Sequence, residues 1–333
     1  MRVKPEGTVN YIRGCGYSYE EFEPLIGSID EHFQSFINTL DIMTPDGKKV
    51  KISLFLDVFN PEKVSATAKR VSKDNAEYRV DMSAGLAYQV WVASQIFASD
   101  VDYFSWWKKV KIIDKSQSKV GKKQILADFA YYIGSYYIIL HEISHIILGH
   151  CDYIADEMRF DSLDEFGTNE KELTSKELEI RYAFEAEADR QAGEFVAAFF
   201  NLSLGKYGLG NHIRFPSRSH VHEFFIYSIS AVFALIQQLT GERSGIHPEP
   251  KKRQYIVASA YQKYLEDYHK NEIEALNEKF IHIMADSGKD LGIKGAGDLL
   301  EIARTALSLI RIDDIKKEIS IKSYQHQVVE IGK

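Results

Sequence analysis

The residues with the clearest chemical potential lie at positions 141 to 145, which spell His-Glu-Ile-Ser-His inside a long apolar run. Helical side chains four positions apart are separated by only about 40° around the axis, so His141 and His145 can share a metal ion. Glu142 lies about 100° round from His141, where it can reach a metal-bound water without being a ligand. This HExxH pattern is typical of zinc hydrolases. The alternative is a core helix whose histidines bond to their neighbours.

A catalytic zinc usually keeps three protein ligands and one open position, so a third ligand is required. A helix predicted from about residue 175 to 201 offers Glu185. Asp189 follows one turn later on the same face, where it could accept the other ring N–H of a ligand histidine. Glu187 lies about 200° round the helix from Glu185, and we expect it to be a solvated or surface-paired carboxylate.

A third element, His-Pro-Glu-Pro-Lys-Lys-Arg, begins at His247 and ends at Arg253, after another apolar helix. A cationic or N–H donor near zinc can stabilise the oxyanion of a tetrahedral intermediate, and both residues could supply one. Arg253 could instead hold Asp189 or the helix of Glu185 in place. Taken alone, a His-Pro at a helix N-terminus followed by a surface arginine indicates ordinary turn chemistry.

Taken together, the three elements resemble the gluzincin peptidases, whose pattern is HExxH, then ExxxD, then HPxxxxR. Within that group the chain is similar to the Lit-type phage-exclusion peptidases of bacteria, which share the text HEISH, a histidine five residues later and a Glu-x-Glu-Ala-Asp element. The resemblance covers about residues 78 to 260. The chain departs from it in the roughly 40-residue gap before Glu185, which is longer than in those proteins and filled by an acidic insert.

The resemblance implies three ligands for Zn²⁺, namely His141, His145 and Glu185. It also implies that Glu142 is the general base and that Asp189 supports a ligand, while His247 and Arg253 complete the site. The implied substrate is a cytosolic bacterial protein cut at one or few sites, for example a translation factor such as elongation factor Tu. Phage defence is the implied setting.

Two other functions stay open at this point. One is an ImmA/IrrE-like peptidase that cleaves repressors; that class also uses HExxH with a downstream Glu-x-x-Ala motif, but typically carries Asn where Asp189 stands. The other is a non-catalytic binding module stabilised by structural zinc. Structural zinc sites have four protein ligands, so this module would need a fourth, from His247 or Cys151.

His150 stands five residues beyond His145 and about 180° round from His141, so an unbroken helix cannot bring it to the same metal. We interpret Gly149 and His150 as the end of the helix, with the histidine capping or packing.

The composition fits a cytoplasmic enzyme. The chain has 333 residues, 45% of them hydrophobic, which is enough to bury a sizeable core. A net charge of −7 gives no support for broad nucleic-acid binding. The two cysteines form no CxxC pair, as in a reducing compartment, and the first residues lack the apolar core of a signal peptide. We expect no membrane span, because the apolar runs at 125–148 and 224–236 are interrupted by charges or too short. The oligomeric state cannot be predicted.

The predicted fold is α+β and predominantly helical, a zincin-like metallopeptidase in which a small N-terminal β-sheet lies beside the active-site helices. Strands are predicted at 50–58, 64–71 and 77–82, and a free edge strand could bind substrate in extended form. We divide the chain into a lead-in (1–48), a peptidase core (49–260) and a C-terminal helical region with a tail (261–333).

Two predicted loops flank this core. Residues 108–123 carry seven lysines against one aspartate, which indicates a solvated loop or a docking patch for an acidic surface. Residues 152–174 are acidic and polar, as expected of a mobile flap.

Overall fold

The computed structural model of the chain is mixed α+β and predominantly helical, as the sequence predicts. It describes residues 19–38, 40–57, 63–99, 101–104, 106–113, 121–159, 163–164, 173–206, 213–240, 247–268, 315, 319, 321 and 324–331.

Seven α-helices and eight strands follow one another in the described residues. The helices are α1 (Tyr19–Ile37), α2 (Ala84–Ser99), α3 (Lys122–Ile147), α4 (His150–Tyr153), α5 (Ser175–Lys206), α6 (Arg218–Thr240) and α7 (Pro250–Tyr268). The strands are β1 (Leu40–Met43), β2 (Lys51–Asp57), β3 (Ala66–Ser72), β4 (Glu77–Ser83), β5 (Lys111–Ile112), β6 (Leu163–Asp164), β7 (Ile213–Arg214) and β8 (Gln327–Ile331). Short 3-10 turns follow α2 at Val101–Tyr103 and Trp107–Lys109.

The three predicted strands are confirmed as β2, β3 and β4, which form one sheet with β6 in the order β2-β4-β3-β6. Strand β4 pairs parallel with β2 and antiparallel with β3. The outer edge of β3 is taken by β6, from the acidic insert, through the pairs Thr67 with Asp164 and Ala68 with Leu163. Within the described residues, an extended peptide could therefore pair with β3 at Thr67 and Ala68 only if β6 were displaced.

One continuous apolar cluster joins the sheet to helices α1, α2, α3 and α6. Helix α1 contributes Ile29 and Phe33 to it, and Ile321 enters it from the C-terminal region. Strand β8 pairs antiparallel with β1, a contact that the sequence did not predict. The domain boundaries at 48 and 260 stay predictions. Helix α1, which precedes the first boundary, and Ile321, which follows the second, both belong to this same core.

Helix α6 is long and apolar enough to cross a bilayer, over Arg218–Leu239. Of this apolar stretch, 72% is buried inside the molecule, as in the core helix of a soluble protein. It packs against α2, α3 and α7.

Helix α3 carries the HExxH residues and ends at a glycine, as predicted. Gly149 has φ +76°, a left-handed conformation that glycine adopts without steric cost. The carbonyl of Ile147, which has no partner within the helix, accepts a hydrogen bond of 2.9 Å from the backbone N–H of His326. The segment around His326 thus completes the hydrogen bonding at the end of helix α3.

The start of the predicted flap is fixed in place. Asp152 is buried and accepts hydrogen bonds from Arg70 on β3 (2.9 Å) and from the Tyr78 hydroxyl on β4 (2.7 Å). Arg70 also donates to Asp156 at 2.7 Å. Residues 160–162 and 165–172 of the predicted flap lie outside the described residues, and for them the flap stays a prediction.

The predicted lysine-rich loop is described in part. Lys122 donates a 2.8 Å hydrogen bond to the Trp107 carbonyl and lies 4.1 Å from the centre of its indole ring. Lys123 donates to Asp102 at 2.6 Å. Two of the seven lysines are therefore anchored to the fold, and residues 114–120 lie outside the described residues.

Local sequence explains the starts of α5 and α7. Thr174 and Glu177 form a capping box, in which the Glu177 carboxylate accepts the Thr174 N–H at 2.7 Å and the Thr174 hydroxyl accepts the Glu177 N–H at 3.3 Å. Pro250 occupies the first position of α7, where its missing N–H costs nothing. These starts place Glu185 and Arg253 within their helices.

Replacement of Gly149 by Ala should destabilise the fold, because the new Cβ would lie 2.3 Å from the Tyr324 carbonyl oxygen. Gly47→Ala is the matched control, since Gly47 has a similar φ of +81° and nothing within 4 Å of such a Cβ. Both variants bear the cost of left-handed alanine, about 1 kcal/mol. We expect the Gly149 variant to lose a further ~1–3 kcal/mol of unfolding free energy in denaturant titration. Equal losses in the two variants would contradict the close contact with Tyr324.

Candidate metal site

The structure brings His141, His145 and Glu185 together, as the spacing predicts. Helix α3 supplies the two histidines and α5 supplies the glutamate. The His145 Nε2 atom lies 3.1 Å from His141 Nε2 and 3.6 Å from Glu185 Oε1, and His141 Nε2 lies 3.2 Å from Glu185 Oε2. The three side chains are buried, and their ligand atoms form a group that could hold a metal ion.

The spacing of these atoms fits a small divalent ion. Ligands about 2.0–2.1 Å from a tetrahedral ion lie about 3.3 Å from one another, close to the three separations in the structure. His141 Nδ1 lies 2.9 Å from an oxygen of the Asp189 carboxylate, a placement that favours the proton on Nδ1. In a neutral imidazole the other nitrogen then presents a lone pair, here aimed at Glu185. A cation between these electron-rich atoms would make the arrangement favourable.

His145 is in the protonation state that a ligand needs. Burial lowers its pKa to about 4, and the nearby Glu185 carboxylate only partly opposes this shift. The imidazole is therefore neutral at pH 7 and has one ring nitrogen with a free lone pair to offer a metal.

Asp189 lies behind His141 in a network of buried side chains. Arg253 donates to its two oxygens at 2.8 and 3.0 Å, and the Tyr137 hydroxyl donates at 2.5 Å. Burial alone would raise the pKa of Asp189, but the Arg253 charge and the bond to His141 outweigh it and hold the pKa well below its usual value. Asp189 is thus held as an ionised carboxylate beside the His141 ring, in the position from which the sequence analysis expects it to support that ring.

Arg253 is placed to hold Asp189 rather than to touch a substrate. It is 1% exposed and pairs with that carboxylate from the first turn of α7. The predicted part for Arg253 in stabilising an oxyanion has no support in these contacts, whereas a part in positioning Asp189 does.

His247 reaches the metal group from the segment before α7. Its Nδ1 lies 3.2 Å from Glu185 Oε2, and its side chain is 17% exposed, the largest exposure among the candidate site residues. The HPxxxxR motif therefore correctly placed His247 near the site, where it is the candidate residue most exposed to solvent. Burial alone would raise the pKa of Glu185, but its interactions with the His247 and His145 rings outweigh burial and lower it.

Glu142 follows His141 on α3 and is 1% exposed. It lies within electrostatic reach of Cys151, whose thiol has its pKa raised by burial and by the neighbouring Asp152 and Glu142 carboxylates. A thiol in this state is a poor metal ligand. Among the described residues, the metal-binding group contains neither Cys151 nor His247, the two fourth ligands considered from sequence, although His247 contacts Glu185.

The prediction for Glu187 is wrong. Its side chain is 2% exposed instead of solvated, and its Oε2 lies 3.2 Å from His150 Nε2. His150 in turn lies 2.9 Å from His145 through the two Nδ1 atoms and stacks on the Phe184 ring. The packing part predicted for His150 is thus confirmed, but its contact with a ligand was missed. The one available signal was the histidine that follows the motif by five residues.

Compared with known proteins, the chain matches no family model, no curated protein and no solved structure. The likeness to Lit-type peptidases therefore rests on the three motifs.

Removal of the Arg253 charge should destabilise the protein strongly, because the Asp189 carboxylate would stay buried without its cation. We expect Arg253→Met to lower the unfolding free energy by about 3–5 kcal/mol, measured in the presence of a metal chelator. Lys252→Met is the control, since Lys252 pairs only loosely with Glu249, at 3.9 Å. That change should cost less than about 0.5 kcal/mol. Similar stability of the two variants would refute the structural role of the Arg253 pair.

Proposed function

We propose that the chain is a zinc-dependent endopeptidase with a zincin-like arrangement of its site. The supporting observation is the buried group of His141, His145 and Glu185, with the potential base Glu142 beside it on the same helix. Two imidazoles and one carboxylate at tetrahedral spacing suit zinc, which favours nitrogen ligands, better than magnesium or calcium, which favour oxygen. Three protein ligands leave one position for water or substrate.

A bound zinc ion would polarise the scissile carbonyl and acidify a water molecule at the open position. Glu142 would accept the proton of that water as the water attacks, and then return it to the leaving amine.

His247 would donate a hydrogen bond to the developing oxyanion. It is the candidate residue nearest solvent, so a peptide that enters from this side meets it first. Asp189 and Arg253 would hold the His141 ring in its ligand orientation and would take no part in proton transfer.

We infer a cytosolic bacterial protein as the substrate, cut at one or few sites, with phage defence as the setting. The resemblance of the motifs to Lit-type peptidases supports this choice, and a translation factor such as elongation factor Tu is the first substrate to test. Position 189 counts against an ImmA/IrrE-like function, because it holds Asp, paired with Arg253, where that class typically has Asn.

The contact of His247 with Glu185 also favours a second candidate function. If His247 were a fourth ligand, the site would be closed, and zinc would serve only to stabilise a binding module.

Glu142→Gln should abolish proteolysis while the protein still folds and binds zinc, because glutamine keeps the shape but cannot act as a base. We expect the new protein N-termini that appear in cells expressing the wild type to vanish with this variant, in proteome-wide N-terminal labelling. Glu179→Gln, an exposed change on α5, should behave like the wild type. The peptidase proposal fails if the same new N-termini persist in the Glu142 variant.

Zinc content separates the open site from the closed one. The purified chain should hold about one zinc ion, and His145→Ala or Glu185→Ala should lose it. His247→Ala should keep the metal and lose on the order of 10²-fold in kcat with little change in KM, as for a lost oxyanion donor. Loss of zinc from the His247 variant in elemental analysis would instead support the structural module.

A further inference from the structure

His145 is backed by two buried side chains to which the motifs assign no role. His145 Nδ1 lies 2.9 Å from His150 Nδ1, and His150 Nε2 lies 3.2 Å from Glu187 Oε2. The exposed fractions are 1% for His145, 0% for His150 and 2% for Glu187. The three groups form a continuous line from a carboxylate on α5, through the imidazole on α4, to the metal-facing imidazole on α3.

Each contact in this line has one favourable direction. The Glu187 carboxylate oxygen accepts, so His150 donates from Nε2–H. A neutral His150 then has its lone pair on Nδ1 and can only accept there, so His145 donates from Nδ1–H. The lone pair of His145 is left on Nε2, the atom that faces His141 and Glu185.

We propose that Glu187 and His150 are positioning residues that hold His145 in its Nδ1–H tautomer, and so make its Nε2 a metal ligand. The inference rests on the metal site of the proposed function, but not on any peptidase activity. It gives His145 a support equivalent to the one that Asp189 gives His141. Helix α5 would then supply one ligand and both terminal acceptors, from three carboxylates at alternate positions, Glu185, Glu187 and Asp189.

The packing around His150 supports a fixed ring. Its imidazole lies parallel to the Phe184 ring, with centroids 4.0 Å apart and an interplanar angle of 8°. Phe184 precedes Glu187 by three positions on α5, so the stack and the hydrogen bond come from one face of that helix. Together they leave the ring little freedom to turn away from His145.

The test is the zinc affinity of the full chain, measured by competition with a chromophoric chelator. His150→Phe keeps an aromatic ring over Phe184 but has no acceptor for His145, and Glu187→Met keeps the length of the side chain without its oxygens. We expect each change to weaken zinc binding by about 10–100-fold. Glu187→Gln keeps an oxygen that can accept from His150, so it should restore most of the affinity.

Phe184→Leu is the control for packing, since it removes the stacked ring but leaves both hydrogen bonds. Its zinc affinity should stay close to that of the wild type. If this variant loses as much affinity as His150→Phe, packing explains the loss and the proposal is overturned. The proposal is also overturned if Glu187→Met and Glu187→Gln bind zinc equally well.

The tautomer can be observed directly in the metal-free protein, from long-range ¹H–¹⁵N correlations of the histidine rings. His145 should carry its proton on Nδ1 in the wild type and in Glu187→Gln, and should shift towards the Nε2–H form in His150→Phe. An unchanged tautomer in His150→Phe would refute the proposal. A wild-type chain that binds no zinc would instead refute the metal site itself, so the two failures are distinguishable.

Discussion

Three electron-rich atoms meet in a dry interior, and this one arrangement governs the surrounding structure. Two imidazole nitrogens and a carboxylate, from His141, His145 and Glu185, lie 3.1 to 3.6 Å apart with little access to water. Without a cation their lone pairs repel, and burial of the carboxylate is costly. The neighbouring groups offset part of this cost, because two further buried carboxylates beside the histidine rings face donors: Asp189 faces Arg253, and Glu187 faces His150.

Helix α5 carries Glu185, Glu187 and Asp189, and the packing around it explains why the prediction for Glu187 failed. The position of Glu187 opposite Glu185 predicts exposure to solvent only if one side of the helix lies in water. Between Ile180 and Ala198 almost every side chain of α5 is buried or half-buried, because α3 packs on one side and α7 on another. Gly193 allows the close approach of α7, since an added Cβ would lie 2.5 Å from the Val257 carbonyl oxygen. In such a helix, opposite faces both point into protein.

The sequence predicted the local parts of the site and missed those that depend on distant contacts. The spacing of His141 and His145 fixes their common face through helix geometry alone, and Glu185 followed from the need for a third ligand. The three strands of the central sheet follow from runs of β-branched residues. The pairing of β8 with β1 has no such signal, because the two segments lie at opposite ends of the chain and their short patterns fit many partners. For Arg253 the sequence left three places open, in solvent, beside an oxyanion or against Asp189, and only the folded contacts select the last.

The end of the metal helix has a consequence for how the protein is made. The carbonyl of Ile147 is satisfied by the N–H of His326, and the left-handed turn at Gly149 lies directly against Tyr324. During synthesis the ribosome therefore releases the HExxH helix long before the residues that complete it. A nascent chain has both motif histidines but lacks this cap until position 326 has been added, so the end of the HExxH helix cannot be completed before then.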